Sequence, residues 1–357
     1  MRALKTRVRG AAGAAVIALG LLAAGCSSAA ASGPRTASTD VPSELRLGYL
    51  VNLTHADAMV GVAKGFFTKY LGPKTQLQTS TFNAGPAEVD ALDEGALDAA
   101  YMGPSSAITP YEQSDGQALE VVSGATSGGA ALVVGPSITQ ASQLKGTTLS
   151  SPQLGNTQDI ALRYWLKTQG LSSSPNGGGD VTILPQSNSA IVTAFASGHI
   201  AGAWVPEPYA TEMVLDGGHV LVNEASLWPR GRFATTVLVV RKHFAEQYPQ
   251  AVKELLEGQV AANSFINARP AQAQALVNQQ FTTLAGKPLS QTVITDAWKN
   301  LTFTDDPIES SWATDAKHAV AVSLGVGNLP VNGVFSLGIL NQILTAEGQA
   351  PISAGSQ

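Results

Sequence analysis

The feature that most constrains this chain is an alternation beginning at Leu45, in which short strand-like runs are each followed by a helical stretch. LRLGYL leads into a helix over about Ala56 to Tyr70, TQLQTSTF into one from Pro86, LDAAYM into one from Pro104, and ALEVVSG closes the series. The second half runs the same way: TTLSS before a helix over Thr157 to Thr168, DVTILP before one over Ser189 to Ser197, and IAGAWV before one from Pro208. Strands that alternate with helices pair mainly in parallel, each helix crossing a face of the sheet. An α/β fold with mixed, mainly parallel sheets is therefore expected.

The two halves are related. ALDEGALDAAYMGPSSA (Ala91 to Ala107) aligns with AFASGHIAGAWVPEPYA (Ala194 to Ala210); Ala91/Ala194, Gly95/Gly198, Ala100/Ala203 and Ala107/Ala210 are identical, and Tyr101 falls on Trp204. The same offset lays Thr54 on Thr157, so the first strand-to-helix turns of the halves coincide. Any two βα units share small and apolar positions, yet two similar Rossmann-like lobes are the simplest explanation.

Roughly three hundred residues from Glu44 are too many for one ordinary core and suit two lobes. Residues 44–135 and 234–350 are expected in lobe one and residues 136–233 in lobe two, with ATTVLVVRK returning the chain to lobe one. A two-crossing hinge follows, near Ser123 to Gly135 and near Asn223 to Thr236. Beyond Arg241 the pattern is helical: Val252, Leu255, Leu256, Val260 and Phe265 fall close to helical spacing behind Pro249, which suits a first turn. Extra C-terminal helices from about Ala271, Ser290 and Ser310 should pack on lobe one.

Residues 1–25 read as a signal peptide. Arg2, Lys5, Arg7 and Arg9 precede an apolar stretch, Ala11 to Ala24, that is too short to span a bilayer. It ends in LLAAGC, which resembles the lipobox of bacterial lipoproteins, in which the cysteine is lipidated and becomes the new N-terminus. Cys26 is the only cysteine in the chain. Residues 26–43 are small and polar and are expected to form a flexible tether. A mature chain with no other thiol has no disulfide, thiolate metal site or cysteine nucleophile. The expected location is extracytoplasmic, with the protein held to the outer face of the cell membrane by its N-terminal lipid.

The formal net charge is −5 and becomes more negative once the four signal-region cations are removed; no basic cluster occurs later. That balance argues against nucleic acid as a partner. The histidines, His55, His199, His219, His243 and His318, form no i, i+4 pair or close cluster, so neither a metal nor another cofactor is expected.

LGYLVNLTHA, FNAGPAEVDALDEGALDAAYMGPSSA, SGGAALVV, LKGTTLSSPQLGNTQDIALRYWL and AWVPEPYATEMV followed by LWPRGRFATTVLVV are each weak signals. Together they resemble the type II periplasmic solute-binding proteins of the aliphatic sulfonate, taurine and nitrate group, which also includes binders of thiamine-precursor pyrimidines. The resemblance covers Leu45 to about Gly327. It implies a monomeric, non-enzymatic binding protein whose lobes close on a small-molecule solute and deliver it to an ABC permease and its ATPase.

In open α/β sheets a ligand sits outside the carboxyl ends of the strands, where helix N-termini converge. Five strand-to-helix turns should face such a cleft: Asn52, Thr54 and His55; Gly103 to Ser106, including Ser105; Ser127 to Gly129, including Gly128; Gly155 to Gln158, including Asn156 and Thr157; and Trp204 to Glu207. Asn188 completes the candidate set. Small and hydrogen-bonding residues let a ligand approach the backbone, and helix N-termini offer unpaired N–H donors, so an oxyanion-bearing solute suits the site. Asn156 or Thr157 serves equally as a helix N-cap. Glu207 would repel a plain anion and points instead to an aminosulfonate or aminopyrimidine, unless Arg230 or Arg232 neutralises it.

Three other readings stand beside this one. Ser142 to Lys145 has the Ser-x-x-Lys spacing of penicillin-recognising enzymes, but no Lys-Thr-Gly follows late in the chain. Pyrimidine synthases share the fold, and His55 lies in a segment that resembles their histidine-bearing loop. An extracytoplasmic sensor without a transport role is the third.

Overall fold

The computed structural model describes residues 41–352. The expected signal peptide, Cys26 and most of the tether lie outside the described residues. The first half forms β1 (Glu44–Leu50), α1 (Ala56–Ala63), α2 (Phe66–Leu71), β2 (Gln76–Phe82), α3 (Gly85–Asp93), β3 (Ala99–Met102), α4 (Pro104–Gln113) and β4 (Leu119–Gly128). The second half follows with β5 (Ala130–Val134), β6 (Thr148–Ser151), α5 (Thr157–Thr168), β7 (Thr182–Pro185), α6 (Asn188–Ala196), β8 (Gly202–Pro206), α7 (Tyr209–Leu215) and β9 (His219–Asn223). The chain then returns through β10 (Ala234–Arg241), α8 (Lys242–Gln247), α9 (Pro249–Ala268), α10 (Pro270–Ala285), α11 (Gln291–Trp298), β11 (Leu301–Phe303), α12 (Glu309–Ala321) and α13 (Gly338–Ala346).

These strands make two sheets, ordered β2-β1-β3-β10-β4-β11 and β7-β6-β8-β5-β9. In each, a parallel trio meets an antiparallel strand: β10 runs against β3 and β4, and β5 against β8 and β9. Both intruding strands come straight from a crossing between the sheets, which makes the lobes topological copies.

The central strands are apolar on both faces because helices cover both. Along β10, Leu238 and Val240 face one core and Val237 and Val239 the other, as the two-residue period of a strand requires. Along β8, Trp204 faces the core with Leu132, Leu162 and Trp165, while Ala203 and Val205 face the core with Ile191 and Met213.

Three expectations change. The helix expected over Ala56 to Tyr70 breaks at Gly65, whose φ of 67° is left-handed, and continues as α2. Residues 130–134, expected in lobe one, pair as β5 with β8 and β9 in the second sheet. The crossing therefore falls at Gly128 and Gly129, consecutive residues with φ of 79° and 72°. A Cβ on Gly128 would lie 2.6 Å from the Asn300 carbonyl oxygen, so a side chain there is excluded both by conformation and by space. β11, paired antiparallel with β4, and α13 were not anticipated.

The C-terminal helices pack on lobe one as expected. Leu255, Leu256, Val260 and Phe265 of α9 join the core beneath β1 and β10 with Val277 of α10 and Ile294 of α11. Ser290 caps α11, its hydroxyl accepting from the Val293 amide at 3.2 Å.

Candidate functional site

The carboxyl ends of the central strands of both sheets converge on one cleft. It is lined from lobe one by Leu50, Asn52, Thr54, His55, Asn83, Gly85, Gly103, Ser106 and Thr235, and from lobe two by Pro152, Asn156, Thr157, Gln158, Asn188 and Pro206. The internal repeat reappears here in three dimensions. Thr54 and Thr157, His55 and Gln158, Gly85 and Asn188, and Gly103 and Pro206 stand at one common offset, and all eight line the cleft.

The lobes are closed on each other. The cleft encloses about 20 Å³, roughly the space of one water molecule. The Ser105 amide at the start of α4 donates to the Thr157 hydroxyl at 3.3 Å. A Cβ on Gly103 would lie 2.2 Å from that hydroxyl oxygen, so the glycine permits the approach. On the hinge side the Leu53 amide donates to the Glu207 carbonyl at 3.0 Å, the Glu207 amide to the Gly129 carbonyl at 2.8 Å, and the Tyr209 hydroxyl to the Val51 carbonyl at 3.0 Å.

The buried wall is polar and carries no fixed charge. The His55 Nδ1 accepts from the Leu50 amide at 3.2 Å, which leaves the proton on Nε2. Burial lowers its pKa to about 3, so the ring is neutral. Asn52 accepts from Thr54 at 2.7 Å through Oδ1, and its amide nitrogen has no partner among the described residues. Asn156 performs both roles open to it: Oδ1 caps α5, accepting from the Asp159 amide at 2.9 Å, while the residue lines the cleft. The Asn156 Nδ2 donates to Gln158 Oε1 at 3.2 Å, which fixes the Gln158 amide with its nitrogen unpartnered among the described residues. Asn188 Oδ1 is buried without a partner.

Other candidates lie elsewhere. Trp204 is fully buried in the lobe-two core, where its Nε1 donates to Glu224 Oε2 at 2.7 Å. Two residues on, Pro206 takes the cleft position. Glu207 points behind the hinge: Oε1 accepts from Asn300 at 2.7 Å and Oε2 from the Thr211 amide at 3.1 Å. The objection that Glu207 raises to a plain anion therefore falls, and Arg232 pairs with Asp306 at 2.7 Å rather than with Glu207. Ser127 and Gly128 belong to the hinge strand, Gly155 donates to Asp159 Oδ2 at 3.0 Å in the turn before α5, and the buried Ser105 hydroxyl is outside the cleft lining. Ser142 sits in a short 3-10 turn and Lys145 pairs with Asp180 at 3.0 Å, both away from the cleft.

Leu50, Asn83, Gly85, Pro152 and Thr235 were missed, while Pro206 falls inside the expected Trp204 to Glu207 turn without having been singled out. Asn83 and Gly85 occupy a strand-to-helix turn of the same kind as the chosen ones, and Gly85 is the repeat partner of Asn188, so the signal was present.

On one flank the cleft continues into a chamber of about 400 Å³, with Leu50, Asn52, Asn83 and Asn188 shared between the two.

Two sheets with this strand order, closing on a donor-lined cleft, define a two-lobed periplasmic-binding-protein fold of type II. The chain belongs to the NMT1-like family, whose model matches residues 39–279. It is 27% identical over 216 residues to the taurine-binding periplasmic protein of Escherichia coli (strain K12), covering 60% of this chain and 64% of that one. Among solved structures, the alkanesulfonate-binding protein of Xanthomonas axonopodis pv. citri bound to MOPS superposes with a TM-score of 0.70 at 19% identity, covering 84% of this chain and 100% of that one. The periplasmic nitrate-binding protein of Synechocystis PCC 6803 gives 0.69 at 15% identity, covering 85% and 89%.

Proposed function

We propose that this protein is the extracytoplasmic solute-binding component of an ABC importer, and that it captures a small oxyanion-bearing solute of the sulfonate or taurine class by closure of its lobes. The observation that carries the reading is the cleft wall: neutral donors from both lobes, Asn52, His55, Ser106 and Gln158 among them, converge where helices α4 and α5 begin. Backbone amides and a helix dipole stabilise negative charge without a fixed cation. Release then requires only that the lobes part, since no buried ion pair to the solute has to be broken. In this reading the solute passes to a permease driven by a cytoplasmic ATPase, the protein works as a monomer held by a lipid on Cys26, and it catalyses no reaction.

A thermal-shift panel of taurine, alkanesulfonates, nitrate, sulfate, bicarbonate and aminopyrimidines tests the solute class. A ligand at about 100 Kd stabilises by roughly 2.7 kcal/mol, and the sulfonates are expected to give the largest rise in Tm. The unpartnered Asn188 Oδ1 favours a second reading, a solute with an N–H donor such as an aminopyrimidine. A panel in which only aminopyrimidines shift the transition selects it. Turnover of pyridoxal phosphate and iron by the purified protein would overturn the non-enzymatic reading. Intact-mass measurement of membrane-extracted protein, with Cys26→Ser as control, tests the anchor.

A further inference from the structure

Helix α5 belongs to lobe two but turns one face toward lobe one along its length. Thr157 at its start meets the Ser105 amide, and Tyr164 and Lys167, seven and ten residues on, fall near the same helical face. Both reach α12, which Trp312 anchors in the lobe-one core with Met102 and Val237. Tyr164 stacks on His318 with ring centroids 3.6 Å and planes 17° apart. Lys167 Nζ donates at 2.6 Å to the carbonyl of Ala321, the last residue of α12. A helix C-terminus leaves its carbonyls unpaired and favours a cation there. None of Tyr164, Lys167 and His318 lines the cleft.

The His318 ring is also approached from the second crossing. Trp228, stacked on Phe233 at 5.6 Å, lies 5.8 Å from it. Burial lowers the His318 pKa to about 4, so the ring is neutral. Asp315, one turn earlier on α12, is buried and faces the charge of Glu224, in the turn that leads to Trp228. Desolvation raises both carboxyls, that of Glu224 to about 7, so at pH 5 neither is an anion that could hold an imidazolium. The other charges on the elements packed against α12 are already engaged. Asp159 and Arg163 of α5 pair with each other, Arg241 of β10 pairs with Asp98, and Glu112 of α4 accepts from the Val326 and Gly327 amides. Lys317 of α12 is exposed.

We propose that Tyr164, His318 and Lys167 form a clasp outside the cleft that holds the two lobes together without any solute, and that a proton on His318 loosens it. These are positioning residues. They set the share of the protein that is already closed, which scales the affinity for every solute by one common factor. The inference goes beyond the solute reading and does not depend on which solute is bound.

The sign of the proton effect follows from exposure. Opening returns the imidazole toward its ordinary pKa of about 6.5, so the open form holds the proton more tightly and acid favours it. Attraction between an imidazolium and the Tyr164 ring offsets this by about two- to fivefold. The penalty of burial, reduced because the ring is only half-buried, is about tenfold or more at pH 5. The closed-to-open ratio should therefore fall at least about threefold between pH 7.5 and pH 5.

The test uses the ligand-free protein with Cys26→Ser, which leaves no native thiol. Spin labels are placed on Gln113→Cys at the end of α4 and Gln169→Cys just past α5, both exposed positions. Pulsed electron–electron distance measurement then reads the closed and open populations. The labelled parent should show a short-distance population at pH 7.5 that falls at least about threefold relative to the long one at pH 5. Tyr164→Ala should deplete it at pH 7.5, as should Lys167→Met, at an exposed position that tolerates the change. Tyr164→Phe should match the parent, and His318→Phe, which keeps a ring but no titrating nitrogen, should hold the short population at both pH values. A single long distance at pH 7.5, a short population that both Tyr164→Ala and Lys167→Met leave intact, a distribution unmoved by pH, or an acid response that persists in His318→Phe overturns the proposal. No solute enters the measurement, so its failure leaves the oxyanion reading standing, and a thermal-shift panel without a sulfonate response leaves the clasp standing.

Discussion

The Ser105 amide of lobe one and the Thr157 hydroxyl of lobe two meet at 3.3 Å, at the point where the first helical turns of α4 and α5 face each other. Gly103 makes this possible although its backbone, at φ −74° and ψ 152°, is open to any residue. Its restriction comes only from the opposite lobe. Gly103→Ala should therefore fold with an unchanged Tm but bind solute at least about tenfold more weakly, or roughly 1.4 kcal/mol, because the methyl group props the lobes apart. Thr157→Ala in the same chain should restore part of the loss by removing the clashing oxygen. Wild-type affinity in Gly103→Ala would mean that closure does not bring these turns together.

His55 acts as a neutral donor, since its Nδ1 is occupied by the Leu50 amide and burial holds its pKa at about 3. A group already neutral at pH 5 contributes no titration to binding above it. His55→Ala should weaken binding at least about tenfold at both pH 5 and pH 8, as measured by calorimetry. A loss confined to the lower pH would show that the imidazolium form does the binding.

Glu224 is buried beneath Trp204 in lobe two, and desolvation raises its pKa from the ordinary glutamate range to about 7. The folded protein therefore holds the proton more tightly than the unfolded chain does. The group's stabilising contribution is complete below the unfolded value and is lost as pH rises through about 7. Glu224→Gln has no such titration. Between about pH 5 and pH 8 the urea-unfolding free energy of the variant relative to wild type should rise by roughly 2 to 3 kcal/mol; an equal difference at both values would contradict the assignment.

The Glu207 carboxylate bridges the two lobes at the hinge, accepting from Asn300 of lobe one and from the Thr211 amide of lobe two. Removing it leaves two donors without their acceptor, and Glu207→Ala should lower stability by about 1 to 3 kcal/mol. Solute affinity should change much less than in His55→Ala. A loss of affinity as large as that of His55→Ala would return Glu207 to the cleft.

The alternation of strands and helices carried the fold because hydrophobic period and turn chemistry are local. The sheet to which a strand belongs is not. AALVV reads as an apolar strand in either lobe, and only the left-handed pair Gly128 and Gly129 turns it into the second sheet. Trp204 and Glu207 were assigned to the cleft from their place near a strand end, but Trp204 stands two residues before the end of β8, on the same face as Pro206 and still within the core. The side chain of Trp204 went to the core and Pro206 to the cleft. The turn at Asn83 to Gly85 was legible through the repeat, since Gly85 lies at the offset of Asn188. Thr235 was not, because β10 reaches the cleft only through its long-range pairing with β3 and β4.

The waist of the molecule is joined by peptide groups: Leu53 to Glu207, and Glu207 to Gly129, in each case N–H to carbonyl. These two bonds involve no side-chain atom, so beyond the glycines of the crossing and the Glu207 carboxylate they place few demands on the residues around them. Mutational drift can thus rewrite the pocket walls on either side while the mechanical pivot persists, which leaves a lineage free to exchange one cargo for another without rebuilding the machine that grips it.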